Sequence, residues 1–180
     1  MIQPIISSPV KGEINSQTLK HLVDKINEVF LVSESKLWPH DGTYYRTTVE
    51  ELKSFIEKGQ IRIAKMDDLI VGLIKVYQKR NGVGGFGLLM VDPAYRQFKI
   101  GTQLVQVAED WCKTVQLSAI ELELLVANDF VLEDKIILRE WYGRRGYQWI
   151  EKTAFETLYP SHAGLIQVPC SFEIMRKKLN

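Results

Sequence analysis

The chain has 180 residues, 46% of them apolar and 25% charged, with a formal net charge of +1. That length suits one domain, 1–180, large enough to bury a full core without metal or disulfide staples. The near-neutral balance lacks the basic excess that a nucleic-acid footprint needs, and the terminal run Arg176-Lys177-Lys178 is too short to supply it.

Cys112 and Cys170 are far apart and have no metal-ligand spacing to His21, His40 or His162. They read as reduced structural thiols of a cytoplasmic protein, and no metal is expected. The opening stretch "MIQPIISSPVKGEIN" has no charged region followed by an apolar core, so a secretory signal is not expected. No apolar run approaches the ~20 residues that cross a bilayer, so no membrane partner is expected.

From Ser16, Leu19, Leu22, Val23, Ile26 and Phe30 recur at spacings of three and four and predict an amphipathic helix. The stretch "SKLWPHDGTYYR" reads as a loop rich in aromatics. Thr48 and Glu51 have the spacing of a capping box, and Val49, Leu52, Phe55 and Ile56 give the stripe of a second helix ending at Gly59. "IRIAKM" and "LIVGLIKVY", separated by Asp67-Asp68, predict an antiparallel hairpin. "QKRNGVGG" reads as a glycine-rich turn leading into a third strand, "FGLLMV".

Leu104, Val105, Ala108, Trp111, Cys112 and Val115 mark one face of a third helix, and "AIELELLV" is the next strand. "KIILREWYGRRG" is a fourth helix stopped by Gly146. "YQWIEK" and "SFEIMRKKL" are late strands, whose edges offer a route to a homodimer. The order predicts an α/β domain whose mixed sheet has one βαβ crossover between residues 86 and 125.

The junction "VDPAYRQFKIG", residues 91–101, holds more than a short turn needs. A strand that enters a helix through a loop with a glycine at the helix start builds an anion site from unpaired N–H groups and the helix dipole. Arg96 and Lys99 can add charge-assisted contacts, and Gly101 allows close approach of the backbone. The alternative is an ordinary turn carrying solvated cations. No Walker loop or three-glycine dinucleotide spacing is present.

The longer stretch "GFGLLMVDPAYRQFKIGTQLVQVAE" resembles the acetyl-CoA-binding signature of the GNAT superfamily of N-acetyltransferases. That signature has a strand ending Leu-x-Val, here Leu89, Met90 and Val91, then an Asp-Pro turn at Asp92-Pro93 and the aromatic Tyr95. An Arg/Gln-x-x-Gly-x-Gly/Ala loop follows, matched by Arg96 through Thr102. A second family segment appears as "WYGRRGY" at 141–147, after a longer insert, "VANDFVLED". The glycine usual three positions after Arg96 is Lys99, which can still offer its backbone N–H from the α or β region.

The resemblance implies a GNAT-like fold, a mixed and mostly antiparallel sheet with about four flanking helices. It also implies direct transfer of an acetyl group from acetyl-CoA to a primary amine of a small molecule or peptide. Leu89, Met90, Val91, Arg96, Gln97, Phe98, Lys99, Ile100, Gly101, Thr102 and Asn128 are the implied coenzyme contacts. A main-chain N–H within Leu89–Val91 would polarise the thioester carbonyl, with Met90 the single assignment.

An alkyl amine with a pKa near ~10.4 must lose a proton before attack, and a thiolate of pKa about 8.5 must gain one on leaving. Tyr142 matches the family's tyrosine acid; the alternative is a core aromatic in one stripe with Leu138. Glu121 and Glu123 share one face of their strand. Glu123, nearer the strand's end, is the candidate base, and a salt bridge is its other reading.

Trp38, Tyr44 and Tyr45 are candidate acceptor contacts, or a lid anchored by its own aromatics. The rival from another class is a non-catalytic acyl-CoA-binding or interaction domain. A small α/β nucleotide-binding protein is a third.

Overall fold

The computed structural model describes residues 3–179. Within them the elements run β1 (Ile5–Ser7), α1 (Ser16–Ser33), α2 (Val49–Glu57), β2 (Ile61–Met66), β3 (Leu69–Arg80) and β4 (Val83–Val91). Then follow α3 (Ile100–Thr114), β5 (Ala119–Ala127), α4 (Glu133–Arg144), β6 (Gln148–Ala154), the short α5 (Phe155–Leu158) and β7 (Cys170–Lys178). The seven strands form one sheet in the order β1-β2-β3-β4-β5-β7-β6. Only β4 and β5 pair in parallel, through the crossover helix α3, and the other neighbours are antiparallel.

Local chemistry explains the element ends. Asn15 caps α1 by accepting from Thr18 N–H at 2.8 Å. Thr48 and Glu51 close a reciprocal capping box on α2. The expected glycine-rich turn is shorter than its composition suggested: β3 runs to Arg80, β4 starts at Val83, and only Asn81-Gly82 turn the chain, with Gly82 at φ 72°.

Gly84 and Gly85 are strand residues, glycines because neighbours occupy the space of a side chain. A Cβ on Gly84 would overlap Cys112 Sγ of α3, and one on Gly85 would meet the Tyr77 ring at 2.9 Å. The spacing pattern also missed β1, three residues between two prolines that pair with β2.

The core is layered. The α1 stripe of Leu19, Leu22, Val23 and Ile26 packs with Leu52 and Ile56 of α2 against Ile63, Leu73, Leu88 and Met90 on one sheet face. On the other face Ile100, Leu104, Val105, Ala108 and Cys112 of α3 meet Ile74, Val76, Ile120 and Leu122, with Tyr142 of α4 beside them. Each large aliphatic side chain taken fully from water stabilises by roughly 1.5–3 kcal/mol.

One irregularity sets up the site. Along β3, Leu73 lies opposite Met90 and Lys75 opposite Gly87, so β4 has an extra residue at Leu88–Leu89. Leu88 sits at φ 50°, an uncommon conformation for a bulky residue. The bulge breaks alternation: Phe86 packs toward α3, whereas Leu88 and Met90 both pack toward α1.

Candidate active site

β4 and β5 pair only at Val83–Ala119, Gly84–Ile120 and Gly85–Glu121, and beyond that point they part. A cavity of about 290 Å³ fills the gap. Four consecutive residues of each strand line it, Phe86 to Leu89 on β4 and Leu122 to Leu125 on β5. Since neighbouring residues of a strand point to opposite faces, this cavity lies between the strands and is walled from both faces of the sheet.

On the α3 side the wall includes Leu138 and Tyr142 of α4. Tyr142 is buried and its ring meets Phe86, Trp141 and Tyr147 at tilted or edge-on angles. Burial pushes its hydroxyl above the ordinary phenol value, only partly offset by Arg145, so the side chain keeps its proton. Tyr142 is thus a core aromatic that also lines the cavity.

Next to Tyr142, Trp141 faces the mouth of α3, where its Cη2 is 4.0 Å from a Cβ placed on Gly101. Val91 Cγ2 is 3.7 Å from the same point. These are ordinary contacts, so packing does not require glycine here; its missing methyl leaves the helix mouth open. No side chain caps α3, and its first internal bond runs from Gln103 N–H to Lys99 O. The N–H groups of Ile100, Gly101 and Thr102 precede that bond and point out of the helix start.

Lys99 departs from the expectation of an α or β backbone: φ is 56° and ψ 26°, the left-handed region. That conformation lets Lys99 turn the chain from the 3-10 helix Pro93–Phe98 into α3, and it explains why glycine suits the position. Arg96, Gln97 and Lys99 are exposed, Phe98 packs partly against the core, and Ile100 is fully buried.

Two other site candidates stand apart from the cavity lining. The Met90 side chain packs into the α1 core, and the β4 residues that line the gap are Phe86 to Leu89. Asn128 lies at the end of β5, where its Oδ1 accepts from Ser171 Oγ at 2.9 Å and its N–H donates to Pro169 O. The longer insert puts it beside β7, away from the cavity wall.

On the α1 side, Trp38 and Tyr44 stack at 3.8 Å with nearly parallel rings, and Phe155 meets Trp38 edge-on. Both are buried and line the cavity, while Tyr45 is exposed at its rim. Beneath them Lys135 Nζ lies 2.6 Å from Glu34 Oε1, and Trp38 Nε1–H donates to Oε2 at 2.9 Å. Burial acts to raise the Glu34 pKa, but Lys135 and Arg46 outweigh it and hold the carboxyl below its usual value.

Glu123 reaches the same side. Lys79 Nζ is 2.6 Å from its Oε1, and Tyr159 O–H donates to Oε2 at 2.9 Å. Burial first, then the Glu123 charge, push Tyr159 up to about 12. Glu121, at the last paired position, is held by Arg80, Arg176 and Lys79. The sequence marks the segment "LYPSHAG", with Tyr159, as a further source of acceptor contacts, but it does not single out Tyr77, Arg46 and Lys75, which also line the cavity. Tyr77 and Lys75 share the β3 face that carries Lys79, and that alternation was the available signal.

Among the described residues no group of three His, Cys, Asp or Glu is placed to hold a metal, and no helix is long and apolar enough to cross a membrane. Residues 23–133 match the sequence model of the acetyltransferase (GNAT) family. The chain belongs to that family.

Solved structures share the GNAT fold of this chain. A GNAT-family acetyltransferase from Staphylococcus aureus Mu50 superposes with a TM-score of 0.63 at 20% identity, over 98% of this chain and 99% of that one. A GNAT-family acetyltransferase from Streptococcus pneumoniae gives 0.65 at 17% identity, over 99% and 100%. PaiA N-acetyltransferase from Thermoplasma acidophilum, solved in complex with coenzyme A, gives 0.65 at 17% identity, over 98% and 99%. No curated protein matches the sequence at a significant level.

Proposed function

We propose that this GNAT chain is a single-domain cytoplasmic N-acetyltransferase that moves an acetyl group from acetyl-CoA directly to a primary amine. The observation that carries the reading is the continuity of two features. The uncapped mouth of α3 and the cavity through the sheet are joined by Val91 and Leu89 on β4, and by Trp141 and Tyr142 on α4.

Residues present fit the coenzyme. The N–H groups of Ile100, Gly101 and Thr102 would hold a diphosphate, with the exposed Arg96 and Lys99 adding charge. Acetyl-CoA supplies the activated thioester carbonyl. A backbone N–H at the Leu88–Leu89 bulge, where the register with β3 shifts, would polarise the carbonyl oxygen.

The C–N bond forms as the C–S bond breaks, and this chain moves the two protons. Glu123 takes the proton from the amine, directly or through water, with Lys79 offsetting its charge and Tyr159 fixing its second oxygen. Tyr142, kept protonated by burial, gives its proton to the sulfur. The parted strands place these groups on opposite sides of the sheet, so amine and thioester meet from two faces.

The test is thiol release from acetyl-CoA across a panel of amines, with Tyr142→Phe as control. Turnover by the wild type, lowered in the variant while coenzyme affinity holds, supports the reading. Coenzyme binding with no turnover on any amine would favour a non-catalytic acyl-CoA-binding domain instead.

A further inference from the structure

The acceptor side of the cavity carries two cations, Arg46 and Lys75, that are in direct contact with no carboxylate of the described residues. Its three carboxylates are already engaged: Glu34 with Lys135, Glu123 with Lys79, and Glu51 with the Thr48 backbone in the α2 capping box. Arg46 and Lys75 have no carboxylate within ion-pair distance among the described residues. Arg46 Nε is buried and has no hydrogen-bond acceptor among them.

Arg46 is held in place from behind. Asn27 of α1 clamps the loop, accepting from Arg46 N–H at 2.7 Å and Thr47 N–H at 3.1 Å, while its amide donates to Thr47 O at 3.0 Å. The guanidinium lies 4.9 Å over the Phe30 ring. Lys75 Nζ sits 3.6 Å over Phe55 and 5.0 Å from the Tyr77 ring. Rings partly compensate a cation's lost hydration, but they supply no acceptor for its N–H groups.

Burial holds Lys75 below the ordinary lysine range, against the pull of Glu51, and Arg46 lowers it further. Two like charges facing one cavity cost stability unless something binds there.

We infer that the acceptor is a small amine that also carries an oxyanion, best a carboxylate, which Arg46 and Lys75 hold while its amine faces Glu123. This rests on the acetyltransferase reading and narrows its substrate class. A planar guanidinium matches a carboxylate in a two-pronged contact. The coenzyme's diphosphate does not compete, because the α3 mouth lies on the opposite face of the sheet from Arg46 and Lys75. Along β3, Lys75 and Lys79 stand on one face two side-chain steps apart, roughly 13 Å between backbones. Acceptors with several bonds between amine and anion fit that separation.

The experiment uses the full chain and matched probes. Butylamine is compared with 4-aminobutanoate, and hexylamine with 6-aminohexanoate, in thiol release from acetyl-CoA; 4-aminobutyl phosphate is the phosphate arm. Binding of the product analogues 4-acetamidobutanoate and N-butylacetamide is measured by calorimetry, which needs no turnover. The expected result is a preference for the carboxylates of about tenfold or more in kcat/KM and in affinity. Arg46→Gln and, separately, Lys75→Met bring that ratio toward one.

A stronger preference for the phosphate assigns the site to a phosphate and overturns the carboxylate choice. Equal use of neutral and carboxylated amines, with equal analogue binding, overturns the inference while the acetyltransferase reading stands. Preferential carboxylate binding without any turnover overturns the acetyltransferase reading and keeps the anion site. Neither turnover nor preferential binding overturns both.

Discussion

Lys79 on β3 reaches over the intervening strand β4 to Glu123 on β5, closing to 2.6 Å. It can do so because β4 presents Gly85 and Gly87 on that face, with no side chain to block the path. The same bare stretch lets the Tyr77 ring lie against Gly85. The two bare positions Gly85 and Gly87 thus let Lys79 hold the candidate base at the edge of the gap.

If Glu123 takes the amine proton, Glu123→Gln lowers kcat/KM by about a hundredfold or more while the coenzyme dissociation constant stays within a few-fold. Tyr159→Phe, which removes one hydrogen bond to the carboxylate, costs roughly fivefold. In the double variant Tyr159→Phe adds nothing further, because its effect passes through Glu123. Additive losses would assign the tyrosine a separate role.

Gly84→Ala forces a methyl into Cys112 Sγ and to within 3.2 Å of Leu117 Cδ1. Urea unfolding is expected to show a loss of about 1–3 kcal/mol. In a Cys112→Ala background the same change costs less, since the overlapping sulfur is gone. An equal cost in both backgrounds would place the strain elsewhere.

The Glu34 carboxyl titrates below its usual 4.5 because Lys135 and Arg46 outweigh the effect of burial. A carboxyl lowered in the folded state adds stability that is complete above about 4.5 and is lost as pH falls through the lowered value. The wild type should therefore show a falling limb in stability below about pH 4.5 that is shallower in Glu34→Gln/Lys135→Met. Lys135→Met alone leaves a buried carboxylate without its partner and costs about 3–5 kcal/mol. Identical acid limbs in wild type and double variant would remove the pair from the pH response.

Lys99 occupies a left-handed conformation, which glycine adopts without steric penalty. Lys99→Gly should raise stability by about 0.5–1 kcal/mol, less whatever the freer unfolded chain takes back. Coenzyme A affinity should change by less than about fivefold, the weight of one exposed ionic contact. A larger loss would show that the ammonium, rather than the helix amides, carries the grip.

The helices and their caps were legible because their signals are local: the stripe of α1, the Thr48–Glu51 box, and Gly146, which takes φ 92° after α4. The strand-to-helix signature and the element order were legible for the same reason. What escaped depends on distant partners. Gly84 and Gly85 look like turn residues until Cys112 and Tyr77 are packed against them.

The bulge that sets the Met90 side chain in the α1 core follows from pairing with β3, and no neighbouring residue announces it. Asn128 is diverted by Ser171, 43 residues on. The partners of Glu123 lie 44 and 36 residues away in sequence, and the insertion of β7 between β5 and β6 cannot be read from order along the chain.

The central claim is that the amides at the start of α3 and the parted strands form one continuous coenzyme site. A crystal structure of the chain with coenzyme A tests it most directly. The account predicts the diphosphate on the N–H groups of Ile100, Gly101 and Thr102, with the sulfur in the gap near Leu89 and Tyr142. Coenzyme bound elsewhere, or a helix mouth closed by the Lys99 side chain, would contradict it.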